Sequence, residues 1–333
     1  MKYRFEIFHE FPTLYSISSQ DFNHHLELVK KMENYGYTGS LIYFHHRTLD
    51  PWIISTMILQ NTENHVPLMA IQPYYTSPLA TAKLIRSIAQ IYGRRVYLNL
   101  VTGQSQADLA EAGDPSDKHE LYEKMKEFVT VLRSLLQCDE PFTYSGRYYS
   151  YDGLCAFSSV EAAMFPKIFV ASGSGSEESI ALANAFGDAI LRIPVSFDDY
   201  SKNFAPKIGE HLETGIKFKL ICRKSSDEAQ ETAAKDRADF IARSIKKNQI
   251  KHEVSFSVLE EKIFYPLTYT GDCPLLVGSY EEVASYLEQY LKLGTKSIIV
   301  SNIRSEEDLE HNAQVFRMLR SDNIPVVSSK NAC

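Results

Sequence analysis

Two adjacent histidines, His45 and His46, directly follow an apolar segment, 40–44, that is predicted to form the second strand of the chain. Histidine exchanges a proton near neutral pH and can therefore act as a general acid or base. Barrels of alternating strands and helices carry their active sites at the carboxyl ends of the strands. The pair is therefore a candidate catalytic site, with a solvated or helix-capping loop as the alternative.

Two lysines, Lys217 and Lys219, alternate with apolar residues in a strand predicted over 216–222. Side chains two residues apart in a strand share one face. If the apolar residues pack under helices, both ammonium groups point into the barrel. A buried ammonium needs a partner, which an anionic substrate or cofactor group could supply. The alternative is a frayed strand whose lysines are solvated.

A turn of small residues, Ser172-Gly-Ser-Gly-Ser176, separates a predicted strand from a helix that begins at Glu177. Small residues let the backbone approach an anion, and the free N–H groups of a helix start can bind a phosphate. The same composition is also typical of a simple helix N-cap with a flexible lead-in.

A second polar turn follows the apolar strand predicted over 96–101 and contains Asn99, Thr102 and Gly103. A helix with an acidic and aromatic first turn, 117–123, comes after it. In a chain of alternating strands and helices this turn lies at the carboxyl end of its strand, where such folds bind ligands.

Eight strand-like segments with helical patterns between most of them are predicted to position these residues. They cover 3–8, 40–44, 67–72, 96–101, 167–171, 189–193, 216–222 and 297–301. Apolar runs on both faces favour a parallel sheet, and eight such units fit a (β/α)8 TIM barrel formed by one domain over 1–333. A doubly wound open sheet is the alternative, but its usual glycine-rich first turn is missing. Two insertions, 139–165 and 247–274, interrupt this alternation of strands and helices, and the second is expected to form a lid.

Composition narrows the class of protein. The net charge of −7 over 333 residues, without a block of Lys and Arg, argues against nucleic acid as a partner. No apolar run approaches the roughly 20 residues that span a bilayer, and the first residues lack a signal-peptide pattern. We therefore expect a cytoplasmic protein without a membrane partner. The five cysteines are odd in number and widely spaced, which is typical of reduced thiols.

Several chemistries lose their usual support because their motifs are absent. The chain contains no phosphate-binding P-loop, no His-Glu-x-x-His or Cys-x-x-Cys metal pair, no Gly-x-Ser-x-Gly elbow and no Gly-x-Gly-x-x-Gly. Hydrolase, kinase and Rossmann dehydrogenase interpretations are thereby disfavoured, and no metal site is predicted.

Several segments, in this order along the chain, resemble those of the bacterial luciferase-like flavin monooxygenases, especially their alkanesulfonate monooxygenase branch. They are 36–42, 73–78, 99–103, 117–122, 172–176, 226–229 and 276–278. Asn99-Leu-Val-Thr-Gly103 is the most specific of them, and the resemblance covers about residues 3–320.

The resemblance implies a (β/α)8 barrel that receives reduced FMN from a separate NAD(P)H:FMN reductase. Such enzymes form a C4a-peroxyflavin with O2, oxygenate a substrate at the barrel mouth, and usually associate as homo-oligomers. It also implies FMN-binding positions, with Asn99, Thr102 and Tyr122 along the cofactor, Gln72 near its ring, and Gly175 and Ser176 at its phosphate. His45 matches the catalytic first member of a His-His pair.

The substrate half departs from the alkanesulfonate pattern. Lys217 and Lys219 stand where that branch has an arginine and a histidine, Leu49 replaces a cysteine, and Leu121 replaces an arginine before the helix tyrosine. An arginine fork suits a sulfonate better than a lysine does. We therefore expect a small anionic or acyl substrate.

Related enzymes of antibiotic pathways include one that hydroxylates a carrier-protein-bound acyl side chain of butirosin-type aminoglycosides. Three alternatives remain open, namely an alkanesulfonate monooxygenase, a deazaflavin-dependent dehydrogenase and a non-catalytic flavin-binding subunit.

Overall fold

The computed structural model describes residues 2–12, 18–102, 106–155, 161–246, 264–265 and 273–321. The strands are β1 (Glu6–Glu10), β2 (Gly39–Ile42), β3 (Val66–Ile71), β4 (Tyr97–Leu100), β5 (Phe142–Ser145), β6 (Ser150–Leu154), β7 (Ile168–Ala171), β8 (Ala189–Arg192), β9 (Glu213–Arg223), β10 (Phe264–Tyr265), β11 (Leu275–Ser279) and β12 (Thr295–Ser301). The helices are α1 (Ser19–Asn34), α2 (Pro51–Asn61), α3 (Pro78–Tyr92), α4 (Gln106–Glu111), α5 (Lys118–Gln137), α6 (Glu177–Phe186), α7 (Phe197–Asp199), α8 (Ser226–Lys246), α9 (Tyr280–Lys292) and α10 (Glu306–Leu319).

Eight parallel strands close into a barrel in the order β1-β2-β3-β4-β7-β8-β9-β12. The barrel closes where β12 pairs with β1 and where β8 pairs with the first half of β9. Strand β9 is 11 residues long, and its second half extends past β8 and pairs with β11 instead. All strands of the ring therefore end at one mouth, where the polar turns of the sequence are gathered.

The two faces of the barrel strands pack in separate apolar clusters. The interior cluster consists of Phe8, Leu41, Leu68, Tyr97, Phe169, Ala189, Leu191 and Ile299. The alternate residues of the same strands, such as Ile7, Leu98 and Ile298, belong to the larger cluster beneath the helices. Strands that are buried on both faces explain the continuous apolar runs of the sequence.

Local signals in the sequence set where the helices begin. Asp50, Ser77, Asp117 and Ser176 each accept a hydrogen bond from a backbone N–H of the first turn that follows. These side chains satisfy donors that a helix start leaves without an internal partner. Helix α3 ends at Gly93, whose φ of 61° is readily adopted by glycine.

The predicted barrel is confirmed, and each of the eight predicted strands overlaps an observed one. Strand β11 and the short helix α4 were not predicted. The insertion 139–165 contains the hairpin β5–β6, whereas most of the insertion 247–274 lies outside the described residues. Among the helices of the described part of the chain, none has the length and apolar character to cross a membrane.

Candidate functional site

A cavity of 460 Å³ opens at the carboxyl ends of β2, β3, β4 and β7. This volume lies in the usual range for small-molecule sites. Its walls come from strand ends and from the first turns of α4, α5 and α6, and are formed by Tyr43, Gln72, Val101, Thr102, Gln106, Leu109, Lys118, Leu121, Tyr122, Ala171, Ser172, Gly173, Ser174, Ser176 and Ser179.

Two buried amide side chains lie at the inner part of this region. Gln72 follows β3, is 4% exposed and lines the cavity. Asn99 in β4 shares the interior face of Tyr97, is 6% exposed and stays outside the lining. The Oε1 atom of Gln72 and the Oδ1 atom of Asn99 are buried and have no hydrogen-bond partner among the residues that the structure describes. Because leaving buried polar atoms unpaired is costly, both oxygens are suited to receive a ligand donor.

The turn before α6 forms another part of the cavity wall. Ser176 caps α6, and its hydroxyl lies 3.5 Å from the hydroxyl of Tyr122. Gly175 has a φ of 71°, and a Cβ placed there would lie 3.1 Å from the guanidinium carbon of Arg192. The guanidinium in turn donates to the carbonyl of Gly173 and to Asp199, the latter at 3.2 Å. The backbone of this turn is therefore held close to the cavity in a shape that favours glycine.

A cation stands beside this turn. Lys118, the first residue of α5, lines the cavity, with Nζ 6.0 Å from the ring centre of Tyr122 and 3.5 Å from a carboxylate oxygen of Glu178. Leu121, one turn further along, lines the cavity and is buried. Lys118 therefore supplies a positive charge in the cavity wall, in addition to the Arg192 guanidinium behind Gly175.

His45 lies beside the cavity and is held at both ring nitrogens. Its Nδ1 accepts the backbone N–H of Arg47 at 3.1 Å, and its Nε2 lies 3.4 Å from Oδ1 of Asp108. Because Nδ1 accepts, the proton of the neutral ring lies on Nε2, which faces the carboxylate. The ring is therefore fixed in one orientation by a backbone donor and a carboxylate.

His46 stacks on His45 with ring centres 4.2 Å apart and has Nε2 3.5 Å from Glu111. Arg47 also pairs with Glu111, and this bond holds the pKa of that carboxyl below its usual value. The ring nitrogens of both histidines and the carboxylate of Asp108 lie within 4.8 Å of one another, close enough to share a metal ion. The contacts of His45 with Asp108 and His46 also orient its imidazole ring.

Both strand lysines lie on the face of β9 opposite to Ile216, Phe218, Leu220 and Cys222, which pack in the outer cluster. Beyond the ring this face packs against α8, where Ile221 contacts the cluster of Ala229. The partners of the two lysines are protein carboxylates. Nζ of Lys217 lies 2.6 Å from Oε1 of Glu10, and Lys219 pairs with Asp236. Burial lowers the pKa of the Lys219 ammonium, although Asp236 opposes that shift. Protein carboxylates therefore compensate both ammonium groups, and the binding of an anionic substrate group by these lysines stays a prediction.

The structure brings four predicted cofactor positions, Gln72, Thr102, Tyr122 and Ser176, into the lining of one cavity, with Gly175 adjoining. Asn99 and His45 lie next to it, and Lys217 and Lys219 occupy the other side of the mouth. Lys118 and Asp108 were missed. Lys118 precedes Tyr122 by four residues, a spacing that shares a helix face and could have identified it. No sequence pattern around Asp108 predicts its contact with His45.

Comparison with known proteins gives the family. The sequence model described as "Luciferase-like monooxygenase" matches residues 3–297. A curated relative, 4-(gamma-L-glutamylamino)butanoyl-[BtrI acyl-carrier protein] monooxygenase BtrO of Niallia circulans, is 34% identical over 307 residues, which are 87% of this chain and 89% of the relative.

Solved structures share the fold at low identity. Long-chain alkane monooxygenase LadA matches with a TM-score of 0.75 and 13% identity, covering 97% of this chain and 94% of its own. An F420-dependent secondary alcohol dehydrogenase in complex with an F420–acetone adduct matches with a TM-score of 0.70 and 15% identity, covering 96% and 100%. Because the family model and the curated relative both extend over most of the sequence, the chain belongs to the luciferase-like monooxygenase family of enzymes.

Proposed function

We propose that this enzyme uses reduced FMN and O2 to insert one oxygen atom into a small acyl substrate. The observation that carries the proposal is the cavity at the barrel mouth, where one group of residues suits the ring of FMN and another suits its phosphate. The first group has amide oxygens that lack partners among the described residues, and the second is a helix start with a neighbouring lysine.

The residues around Gln72 and Asn99 suit a flavin ring. Oxygen atoms of Gln72 and Asn99 can accept hydrogen bonds from ring N–H groups, and Tyr43 with Leu109 offers apolar surface beside them. Hydrogen bonds of this kind fix the orientation of a ligand that is otherwise held by packing.

The turn before α6 and the neighbouring Lys118 suit a phosphate. The turn at Gly175 lets the backbone approach, the hydroxyls of Ser176 and Tyr122 can donate, and Lys118 supplies a positive charge. Glu178 is the residue paired with Lys118 at 3.5 Å, so a phosphate would compete with this carboxylate for the ammonium.

Reduced flavin supplies the two electrons that leave one atom of O2 in the product and the other in water. His45 and Asp108 together would carry a proton for the reaction, passed between Nε2 of His45 and the carboxylate of Asp108. Leu109 and Leu121 in the cavity wall help to exclude water, which protects reactive species in such sites.

The relative BtrO acts on an acyl group that carries a γ-glutamyl cap and is bound to an acyl-carrier protein, as its name states. We propose that this chain likewise oxygenates a small acyl group, delivered free or on a carrier protein. We further propose that a separate NAD(P)H:FMN reductase supplies the reduced flavin and that the enzyme forms a homo-oligomer.

The test is anaerobic mixing of the protein with reduced FMN, followed by admission of O2 and rapid recording of the flavin spectrum. We expect a transient absorbance that differs from both reduced and oxidised FMN and decays faster with substrate. Flavin that oxidises at its rate in free solution contradicts the proposal. Hydride transfer to F420 without any dependence on O2 would instead support the dehydrogenase alternative.

A further inference from the structure

A carboxylate of the protein itself lies at the turn where the phosphate of FMN is proposed to bind. Glu178, in the first turn of α6, has Oε2 3.5 Å from Nζ of Lys118, and the side chains of Lys118 and Glu178 are 57% and 48% exposed. Lys118 and Ser176 line the cavity. Glu178 is therefore paired with the same ammonium group that would bind a phosphate.

The Glu178 carboxylate also lies near the other hydrogen-bond donors of this turn. The Ser176 side chain caps α6 by accepting the backbone N–H of Ser179, which leaves the N–H groups of Glu177 and Glu178 to other acceptors. The nearby backbone N–H of Glu178, the hydroxyl of Ser176 and the ammonium of Lys118 hold the pKa of the Glu178 carboxyl below its usual value. The carboxylate is therefore charged at neutral pH and stands among the donors that suit a phosphate.

A phosphate and the Glu178 carboxylate would compete for the same donors. A phosphate monoester carries about −1.5 to −2 charges near pH 7. When it binds, it either displaces the carboxylate from Lys118 or remains beside it, and two neighbouring anions repel each other. Both outcomes lower the affinity for a flavin with a phosphate. Riboflavin has no phosphate, so its affinity does not depend on this competition.

We infer that Glu178 is a specificity-determining residue that competes with the flavin phosphate for Lys118 and the start of α6, and that it thereby keeps FMN exchangeable. This inference rests on the proposed function, because it concerns the cofactor of that reaction. A cofactor that arrives from a separate reductase also has to leave after each reaction. An internal competitor for the phosphate makes release faster without altering the contacts that Gln72 and Asn99 offer to the ring.

The test compares Glu178→Gln with the unaltered protein in fluorescence titrations of FMN and of riboflavin. Glutamine retains the length and polarity of the side chain and removes only its charge. We expect the variant to bind FMN roughly three- to tenfold more tightly and riboflavin with unchanged affinity. Damage to the fold would weaken binding, so a gain specific to FMN has no such explanation, and thermal unfolding verifies that the variant is folded.

Glu177→Gln is the matched control, because it removes the same charge from the same helix turn. Glu177 is exposed and, within the part of the chain that the structure describes, forms no ion pair with Lys118. We expect this control to change FMN affinity by less than about twofold. In a Lys118→Met background, Glu178→Gln should give a smaller gain than it gives alone, because the shared ammonium is already missing.

Equal FMN affinity of the unaltered protein and Glu178→Gln would overturn the inference, as would equal gains from the two glutamate substitutions. Broadening of the phosphorus NMR line of inorganic phosphate, recorded without flavin, separates this inference from the cofactor assignment. Stronger phosphate binding by Glu178→Gln in a protein that binds no FMN would support the competition and contradict only the proposed cofactor. FMN-dependent oxygenation without any gain from Glu178→Gln would contradict only the competition.

Discussion

Among single residues, we expect His45, which is held between Arg47 and Asp108, to have the largest effect on reactivity. Replacing His45 by Gln removes the proton carrier but retains a polar side chain. We expect product formation to fall by about 10²- to 10⁴-fold while FMN affinity stays unchanged. The measurement is product formed per reduced flavin consumed, together with the release of H2O2.

The control for this prediction is His24→Gln, which alters the exposed member of another adjacent histidine pair, on α1. Asp108→Asn should give a smaller loss than His45→Gln, because it removes only the group that orients the ring. Full product yield from the His45 variant would show that the proton is carried elsewhere.

Lys118 is predicted to discriminate between flavins with and without a phosphate. Lys118→Met should weaken FMN binding roughly three- to tenfold, a modest effect because the ammonium is solvent-accessible, and leave riboflavin binding unchanged. Fluorescence titration of both flavins measures the ratio. Lys126→Met on the same helix, where Lys126 pairs with Glu123 at 2.5 Å, is the control. Equal losses for both flavins would contradict a phosphate contact.

We predict that position 175 requires glycine, because its φ is positive and because a side chain there would crowd Arg192. Gly175→Ala brings a Cβ to 3.1 Å from Arg192, whereas Gly93→Ala, at a similar positive φ, meets no atom within 4 Å. Both substitutions should cost about 1 kcal/mol of unfolding free energy. Only Gly175→Ala should weaken FMN binding, as measured by titration. Equal FMN affinities of the two variants would count against a cofactor contact at this turn.

Among the elements, the hairpin β5–β6 has its turn held by one carboxylate of α5. Glu127 of α5 accepts the backbone N–H groups of Arg147, Tyr148 and Tyr149, the last at 2.7 Å. The hydroxyl of Tyr149 donates to the carbonyl of Pro73, the residue after Gln72, at 3.3 Å. The hairpin therefore contacts the loop that contains Gln72, which lines the cavity.

Glu127→Ala is expected to loosen this hairpin, because it leaves three backbone donors without their acceptor. The loss should be about 1–3 kcal/mol of local stability, seen as faster hydrogen exchange over 142–154. Glu123→Ala, one turn earlier and in a surface ion pair with Lys126, should change exchange little. Similar exchange in both variants would show that the hairpin is held by its other contacts.

Most elements were predictable because their signals are local. Strands such as β3 and β7 show as continuous apolar runs, and helices such as α3 and α5 show as periodic patterns behind a capping residue. Strand β11 was missed because its five residues directly precede α9 and match no separate repeat of the pattern. It pairs with the second half of β9, which is available because β9 extends past β8.

At the scale of the whole molecule, stability is predicted to fall in mild acid because of two buried imidazoles. His9 and His65 flank the hydroxyl of Ser40, with N–O distances of 3.2 and 2.7 Å. Burial lowers the pKa of His65 to about 3 and that of His9 well below its usual value. The unfolded chain therefore binds protons at a pH where the folded protein does not.

This contribution to stability is fully present above the unfolded pKa of roughly 6.5 and is lost as the pH falls toward the folded value, at about 1.4 kcal/mol per pH unit for each ring. Urea unfolding at pH 7.5 and pH 5.5 measures the loss. His65→Gln should flatten the dependence, whereas His24→Gln should not. Parallel pH curves for both variants and the unaltered protein would contradict this explanation.

The candidate site was predictable only in part. The positions of Gln72, Thr102, Tyr122 and Ser176 follow from polar residues at strand ends and helix starts, and the resemblance assigned them to one ligand. The partners of the charged residues were not predictable. Lys217 pairs with Glu10, 207 positions away, and His45 with Asp108, 63 positions away.

Periodicity and capping act over a few residues, so the amino-acid sequence alone specifies the eight strands, the face of β9 that carries its lysines, and the helix starts beside the mouth. Which side chains meet depends instead on contacts between distant parts of the chain. Closure of the barrel through β8–β9 and β12–β1 brings the ends of distant strands together. It thereby places Glu10 against Lys217, and it encloses the cavity between strand ends and three helices.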